Sequence, residues 1–359
     1  MDIEQVIKSV LADNGAITDV MFKTGEPVVA HTPRGWQAVE GLGVPDHNDV
    51  SGFIGQLEPN WEALITSGEV NRPFKLDGMR LRVNAYLAFA GTRLMMSIRR
   101  IPVKIPDFKE LRLPPTLPML LNSPSGLLLV SGPTGSGKTT TVAAMVESIN
   151  QSRPAHVISV EDPIEYVWEG KRSVFSQREV GVDCESFLAG VTSAMRQKPD
   201  VIVIGEIRDR ATAEQAFLAG ESGHLVLATL HASSAVGTVS KMLSFFPDNE
   251  RISRLGTMAT CMLGIVNQAL IPRKDGNGSA LALDLIANQK RDYSKILGEP
   301  DKLQLKLERP DDPLSVGLAA SVIKLIDEGV VDKADAFRAS MANAAAYEKI
   351  CERFSSSRG

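Results

Sequence analysis

The feature that most restricts what this chain can fold into is the run GPTGSGKT at residues 132–139. It fits the pattern GxxxxGK[ST] of a phosphate-binding loop, with an apolar run before it at residues 127–131 and a helical pattern after it at residues 141–149. Glycines let backbone N–H groups surround a phosphate, and the N-terminus of the following helix adds a partial positive charge. A glycine-rich loop without function is the alternative, and the flanking strand and helix argue against it. The sequence therefore predicts a nucleoside triphosphate site.

Two residues of this loop have defined chemical roles in the prediction. Lys138 is expected to reach the β- and γ-phosphates, and the Thr139 hydroxyl is expected to ligate Mg²⁺. ATP and Mg²⁺ are therefore the expected cofactors. The residues of this segment that are expected to bind the nucleotide are Gly132, Pro133, Thr134, Gly135, Ser136, Gly137, Lys138, Thr139 and Thr140.

Four apolar runs, at residues 127–131, 156–160, 201–205 and 225–230, are separated by turns and helical patterns. Near-continuous apolar strands that alternate with helices predict an α/β fold with a parallel sheet covered on both faces. Ligands of such sheets bind at the carboxyl ends of the strands. Polar residues that follow these runs are therefore candidates for the site.

Carboxylates follow two of the runs. Glu161, Asp162 and Glu165 come after the second run, where they are placed to hold metal-bound water, and exposed turn acids are the alternative interpretation. Glu206 follows the third run and is expected to face the nucleotide. Gly205 stands where phosphate-loop enzymes usually have a metal-orienting aspartate.

Two histidines, His224 and His231, bracket the fourth run. For each of them, a histidine that caps an element or packs in the core is the alternative to a role in the site. The residues themselves leave this choice open.

The first hundred residues predict a small α+β domain. Along residues 80–86 the side chains alternate, so that Arg80, Arg82 and Asn84 share one face of a strand. Between residues 70 and 105, eight basic residues accompany a single acid, which gives this segment a charge of +7. The basic surface is interpreted either as an ordinary solvated face or as a surface that reaches for phosphate.

Five prolines between residues 101 and 118 predict a semi-rigid linker, because proline disfavours the helix before it and cannot donate to a sheet. Residues 319–328 and 333–353 have the pattern of packed amphipathic helices. The predicted organisation is an N-terminal domain at 1–100, a linker at 101–118, an α/β domain at 119–290 and a helical C-terminal region at 291–359.

Composition excludes several classes of function. The 39 basic and 43 acidic residues give a net charge of −4, so no global positive field attracts nucleic acid or anionic lipid. The three cysteines lie too far apart for a CxxC metal site, and no disulfide framework is expected. The N-terminal MDIE lacks the pattern of a signal peptide, and the long uncharged stretches are interrupted by proline, glycine or polar residues. We therefore expect a cytoplasmic protein that does not bind nucleic acid.

Four motifs, taken in order, resemble those of the secretion-ATPase superfamily (GspE/PilT type), and most closely the type IV pilus retraction ATPases of the PilT type. They are the Walker A loop GPTGSGKT, the Asp box VEDPIEY, the Walker B strand VIVIGEIRD and the His box AGESGHLVLATLHASSA. The shorter segments RVNAY, RRIP and SQREVG are also similar to the PilT pattern. A glycine before the Walker B glutamate is typical of this family.

The resemblance implies a PAS-like α+β N-terminal domain, a RecA-like P-loop ATPase domain and a helical C-terminal region. It also implies a homo-hexameric ring that engages an inner-membrane pilus or secretion platform protein, so that membrane association is peripheral and occurs through protein partners. Thr139 and Glu206 are the implied Mg²⁺ ligands. The catalytic residues carried over by the resemblance are Glu206, Glu165, Glu161 and His231. The further nucleotide-binding residues carried over are His224, Arg80, Arg82, Arg99, Arg100, Arg196 and Arg208.

The function that the resemblance predicts is a hexameric ATP-hydrolysing motor that powers pilus retraction, and hence twitching motility. Thr192 stands where PilT has a second arginine before Arg196, residues 289–299 lack the retraction signature AIRNLIRE, and the four-cysteine zinc module of assembly and type II secretion ATPases is missing. The alternatives are the ATPase of a related pilus assembly or type II/IV secretion machine and a PilT paralogue that assists retraction. A small-molecule kinase, a DNA translocase and a non-hydrolysing regulator are the rival classes.

Overall fold

A computed structural model describes residues 1–11, 17–102, 104–288, 297–308 and 314–355. The chain divides into two compact units, of which the first comprises Met1–Lys104 with Pro272–Ser279, and the second comprises Ile105–Ile271 with Ala280–Gly359. The division after Lys104 falls inside the predicted linker, and the domain boundaries drawn from the sequence stay a prediction. Within the described ranges, no helix has the length and apolar character needed to cross a membrane.

The first unit contains a six-stranded antiparallel sheet in the order β3-β2-β1-β6-β5-β4, with helices packed around one shared core. Its strands are β1 (Asp19–Lys23), β2 (Val29–Thr32), β3 (Gly35–Ala38), β4 (Glu69–Leu76), β5 (Met79–Ala88) and β6 (Arg93–Ile101). Its helices are α1 (Ile3–Leu11), α2 (His47–Leu57) and α3 (Trp61–Ser67). This is the α+β organisation predicted for the N-terminal residues.

Strand β5 has the alternation that the sequence predicts. Arg80 and Arg82 are half-exposed, whereas the residues between and beside them are buried. Arg99 of β6 lies directly opposite Arg82 and therefore shares its face, where its Nε donates to the Asp19 carboxylate at 2.7 Å. Arg100 is different, because it lies opposite the buried Leu81 and so belongs to the other face of the sheet. The predicted set of four arginines is therefore divided three to one between the two faces.

The second unit is built on a seven-stranded sheet in the order β13-β12-β7-β11-β10-β8-β9, and its pairs from β12 to β9 are all parallel. The strands are β7 (Gly126–Ser131), β8 (His156–Glu161), β9 (Val174–Glu179), β10 (Val201–Ile204), β11 (Leu225–Leu230), β12 (Met262–Pro272) and β13 (Ser279–Ala287). The four predicted strands are found within one residue of their predicted ends. Successive residues of β7 alternate between two buried cores, so both faces of the sheet are covered as predicted.

Helices connect and cover these strands. They are α4 (Leu117–Leu121), α5 (Lys138–Ser152), α6 (Phe187–Ala194), α7 (Arg210–Glu221), α8 (Ala235–Ser244) and α9 (Asp248–Cys261). Three of them begin at a side chain that accepts a backbone N–H of the first turn, namely Ser186 for α6, Asp209 for α7 and Ser234 for α8. These caps define the residues at which the three helices begin.

The C-terminal region is helical, as predicted, with α10 (Pro300–Glu308), α11 (Leu318–Asp327), α12 (Lys333–Ser340) and α13 (Ala344–Ser355). The prediction of one continuous helix over residues 333–353 is wrong. Asn343 interrupts it, because its side chain accepts the N–H of Ala346 at 3.2 Å and so starts a new helix. The segment where the retraction signature is missing falls mostly outside the described residues, which resume at residue 297.

Candidate nucleotide-binding site

The predicted phosphate loop joins β7 to α5 at the carboxyl edge of the sheet. Gly132, Gly135 and Gly137 all have positive φ values, of 152°, 76° and 84°. A Cβ on Gly132 would lie 2.5 Å from the Ser136 Oγ and 2.6 Å from the Gln268 carbonyl oxygen, so a side chain there would displace the loop. The glycine spacing of the motif is therefore a requirement of this backbone.

Lys138 is the first residue of α5, and its ammonium lies within the loop. Its Nζ donates to the carbonyl oxygens of Gly132 at 2.9 Å and Pro133 at 3.0 Å, and it is 3.4 Å from the Nδ1 of His231. Burial lowers the pKa of Lys138, and the charges of Glu206 and Glu165 oppose that shift. The loop thus contains a partly desolvated cation, which is what recognition of phosphate oxygens requires.

Glu206 follows β10 and faces the loop. Its carboxylate is 3.1 Å from His231 Nε2 and accepts a hydrogen bond from Arg208 Nε at 2.7 Å. His231 therefore contacts Lys138 through one ring nitrogen and Glu206 through the other. Because an ammonium group can only donate, we assign Nδ1 as the acceptor and Nε2–H as the donor to Glu206. Three residues from three separate motifs form this Lys138–His231–Glu206 contact chain.

Gly205 has a packing reason to be glycine. A Cβ at this position would lie 3.0 Å from the Val160 carbonyl oxygen, 3.2 Å from the Glu161 Cα and 3.3 Å from the Phe187 ring. An aspartate at this position, directly after β10, would require these neighbours to shift by a few tenths of an ångström, which glycine avoids. The departure from the common Walker B sequence is thus explained by the close contact between neighbouring strands.

The predicted Asp box lies at the end of β8. Glu161 is only 5% exposed and accepts hydrogen bonds from Ser159 Oγ at 2.6 Å and Gln177 Nε2 at 3.2 Å. Burial raises its pKa to about 7. Asp162 accepts from Arg208 at 3.2 Å, so that one guanidinium joins the Asp box to Glu206. The sheet therefore brings Asp162 and Glu206, which are 44 residues apart along the chain, to the same guanidinium.

Glu161→Gln is expected to remove a pH-dependent cost to the folded state. Because the folded-state pKa of about 7 exceeds the ordinary value of 4.5, the native protein keeps a proton that the unfolded chain has already released between these pH values. The contribution of Glu161 to the free energy of unfolding of the wild type therefore falls over this range as the pH rises. Relative to the wild type, the variant should gain up to about 3 kcal/mol between pH 5 and pH 8. Urea denaturation of the protein without nucleotide or metal measures this, and a gain that is equal at both pH values contradicts it.

The structure does not bring every predicted residue to the loop. His224 precedes β11 at its amino end, where its Nδ1 is 3.1 Å from the Ala219 carbonyl oxygen. Arg196 is exposed and precedes β10. Since the strands are parallel, both residues lie at the edge opposite to the one that carries Lys138, so neither contacts the loop within this chain. Arg80, Arg82, Arg99 and Arg100 belong to the first unit, and their role toward a nucleotide stays a prediction.

Polar residues that the sequence analysis did not assign also contact the loop. The Gln268 side chain donates to the Ser136 carbonyl oxygen at 2.6 Å, and the Thr140 hydroxyl is 3.0 Å from the Tyr166 hydroxyl. Gln268 and its neighbour Asn267 interrupt an otherwise apolar run, residues 262–272, and that interruption was the signal for them. Tyr166 is the last residue of the Asp box VEDPIEY, but the sequence does not predict its contact with Thr140, because that contact depends on the path of the chain after β8.

The donor set fits a magnesium ion held together with a nucleotide. Among the residues that the structure describes, no group of three or more histidine, cysteine or acidic side chains is arranged to hold a metal by itself. Mg²⁺ bound with a phosphate substrate commonly takes one or two protein ligands and completes its shell with phosphate oxygens and water. The Thr139 hydroxyl and the Glu206 carboxylate, the ligands predicted from the sequence, would be that small number of oxygen ligands.

Fold and site together define a RecA-like P-loop nucleotide-binding protein. Residues 68–298 match the type II/IV secretion system protein family, and the chain belongs to that family.

Two named relatives and one solved structure are similar to this chain. The chain is 40% identical to the "Twitching motility protein" of Neisseria gonorrhoeae over 61% of this chain and 59% of that protein. It is 35% identical to the "Type IV pilus ATPase PilU" of Pseudomonas aeruginosa over 72% of this chain and 67% of that protein. A crystal structure of the pilus retraction motor PilT with bound ADP matches 96% of this chain and 98% of that chain, with 31% identity and a TM-score of 0.79. The chain thus spans about three fifths of the Neisseria relative.

Proposed function

We propose that this protein hydrolyses ATP as the motor of a type IV pilus system and that it powers pilus retraction. The observation that carries the proposal is the Lys138–His231–Glu206 contact chain, because it joins the phosphate loop to a carboxylate able to act on water. The relatives named above include a twitching motility protein, a pilus ATPase and a retraction motor that binds ADP. Their names support a pilus function for this chain.

The proposed mechanism assigns a separate task to each group. The loop N–H groups and Lys138 hold the phosphates, and the positive charge of Lys138 offsets the negative charge that spreads over the γ-phosphoryl group. Mg²⁺, held by Thr139 and Glu206, supplies further charge neutralisation when it is bound. Glu206 orients the attacking water, and His231 and Arg208 keep the carboxylate in place.

A base is needed to accept the proton of that water. Glu161 has a pKa of about 7, near the operating pH, which suits a general base. Glu165, whose charge acts on both Lys138 and Glu161, is the second candidate. We propose Glu161 as the base and Glu206 as the residue that positions the water.

The ring and its partners form the wider part of the proposal. We infer a homo-hexamer in which Arg80, Arg82 and Arg99 of one subunit approach the nucleotide of its neighbour. These three share one face of the first unit, whereas Arg100 lies on the other face and donates to the Leu11 carbonyl oxygen at 2.9 Å. The ring would turn cycles of hydrolysis into movement of an inner-membrane platform protein. Such a protein would work in the cytoplasm, at the inner membrane.

A second candidate is an ATPase of a related pilus or secretion machine, or a paralogue that assists retraction. The absence of AIRNLIRE from residues 289–299 favours it, as does 42% identity over 152 residues to the "Type II secretion system protein E" of Pseudomonas aeruginosa. That match covers 28% of the secretion protein.

Deleting the gene separates these functions. Retraction predicts cells with excess pili and no twitching, because assembly continues while withdrawal stops. Pilus counts by electron microscopy and twitching zones measure this, with wild-type and Lys138→Ala genes returned to the deletion strain as matched controls. Cells without pili would indicate assembly instead, and normal pili with lost protein export would indicate secretion.

A further inference from the structure

Two neighbouring amide side chains, Asn267 and Gln268, are buried in β12 beside the phosphate loop. They are 2% and 1% exposed, in a strand whose other residues up to this point are apolar. Burying an amide is costly unless hydrogen bonds compensate for lost water. The hydrogen bonds that these two amides make therefore indicate what they contribute.

Gln268 donates one hydrogen bond to the phosphate loop and fills the space beside two of its glycines. Its Nε2 donates to the Ser136 carbonyl oxygen at 2.6 Å. Its backbone oxygen lies 2.6 Å from where a Cβ on Gly132 would be, and its Nε2 lies 3.3 Å from the corresponding position on Gly137. The residue thus occupies the space that two loop glycines leave, and it holds the carbonyl group between them. Its Oε1 is buried and has no partner among the described residues, so the donor nitrogen is the functional end of the side chain.

Asn267 contacts the end of β7 and the segment that follows His231. Its Nδ2 donates to Ser131 Oγ and to the Ala232 carbonyl oxygen, both at 3.0 Å. Ser131 is the last residue of β7 before the loop, and Ala232 directly follows His231. One amide group therefore joins the start of the phosphate loop to the backbone that carries the histidine.

We propose that Asn267 and Gln268 are positioning residues for ATP hydrolysis. They hold the phosphate loop and the His231 loop in fixed relation, so that Lys138 stays within reach of His231 and of the phosphates. Neither residue is assigned to the reacting groups. The inference rests on the proposed ATPase function, and a displacement of about 1 Å in such a site lowers the rate by roughly 100-fold.

The first test compares Gln268→Met with Gln268→Glu. Methionine keeps the length of the side chain but has no donor, so the KM for ATP should rise about 10- to 100-fold at every pH from 6 to 9. A buried glutamate holds its proton to higher pH than an exposed one, and only its protonated form can donate to the Ser136 carbonyl oxygen. Ser136 and Gly137, which contact this side chain, carry no charge, and the nearby Lys138 ammonium is directed to the Gly132 and Pro133 carbonyl oxygens.

The KM of Gln268→Glu should therefore lie near the wild-type value at pH 6 and approach that of Gln268→Met at pH 9. Dividing each KM by the wild-type KM at the same pH removes the titration of groups common to all three proteins. If the amide served only to stabilise the fold, the KM ratio of Gln268→Glu to wild type would not depend on pH. A wild-type KM in Gln268→Met, or a pH-independent ratio in Gln268→Glu, overturns the inference.

The second test uses a matched amide elsewhere in the same unit. Asn288 is 1% exposed, its Nδ2 donates to the Met262 carbonyl oxygen at 2.9 Å, and its Oδ1 is also buried without a partner among the described residues. Met262 lies six residues before Gln268 on β12, or roughly 20 Å along the strand. Asn267→Leu should lower kcat/KM by about 10- to 100-fold, while Asn288→Leu should lower the Tm and leave kcat and KM near wild type.

Equal kinetic effects of the two substitutions would overturn the positioning role. A wild-type protein that does not hydrolyse ATP would instead overturn the proposed function. The two failures are therefore distinguishable.

Discussion

Replacing Lys138 by alanine should lower ATP turnover by about 10³-fold or more, because it removes the cation that the loop holds for the phosphates. The fold should be retained. Burial lowers the pKa of Lys138, which means that the folded protein disfavours this charge, so its removal should not lower the Tm. Phosphate release measures turnover, and circular dichroism with thermal melting measures folding.

The matched control for this substitution is Lys241→Ala. Lys241 is an exposed lysine of α8 whose ammonium lies over the Phe245 ring at 5.2 Å. Its loss removes one positive charge from the same unit without altering the phosphate loop. Turnover of Lys241→Ala should stay near wild type, and unchanged turnover of Lys138→Ala would refute the assignment of the loop.

Lys138→Ala also tests whether arginines act between subunits. Inactive Lys138→Ala subunits retain their arginines, and inactive Arg82→Ala subunits retain their phosphate loops. If an arginine of one subunit completes the site of its neighbour, mixing the two should restore part of the turnover. A mixture that stays inactive would place the arginine and the loop of each site in the same chain.

Glu206→Gln is expected to bind ATP and to hydrolyse it about 10²- to 10³-fold more slowly. The amide has only one acceptor oxygen, whereas the carboxylate contacts His231 with one oxygen and Arg208 with the other. The substitution therefore loses one of these two contacts as well as the negative charge that orients water. Filter binding of labelled ATP and single-turnover phosphate release measure the two steps separately.

The appropriate control for Glu206→Gln is Glu221→Gln, at the end of α7. Glu221 is exposed and accepts a hydrogen bond from the Thr260 hydroxyl at 3.4 Å. Removing this charge should change neither ATP retention nor turnover. Rapid phosphate release by Glu206→Gln would show that another carboxylate orients the water, and Glu161 would then be the next residue to replace.

The parts of the fold that were predictable are those whose signal is local. Strands β7, β8, β10 and β11 are short apolar runs because both of their faces are buried, and the phosphate loop needs glycine at fixed places. Strand β12 was harder to predict, since Asn267 and Gln268 break its apolar pattern for a reason that lies in another segment. The interruption of the helix at Asn343 was not predicted, because the helical spacing of apolar residues continues from α12 into α13.

The parts of the site that were not predictable depend on register and on strand direction. Arg99 and Arg100 are adjacent, and only the pairing of β6 with β5 places them on opposite faces. His224 and His231 lie in one motif, yet a strand of six residues separates them and carries only His231 to the phosphate loop. Contacts between distant segments decide both cases, and no local pattern reports them.

The crowding at Gly205 has a consequence for how negative charge is distributed around the nucleotide. An aspartate introduced there, to rebuild the more common sequence, has no room for its first side-chain carbon unless β10 moves away from β8. Without such a shift the segment after β10 contributes the single carboxylate of Glu206, and the further acids come from the adjacent strand, which ends in Glu161 and continues to Asp162. A constraint of a few tenths of an ångström thus favours placing the acids on two separate loops, which the Arg208 guanidinium connects.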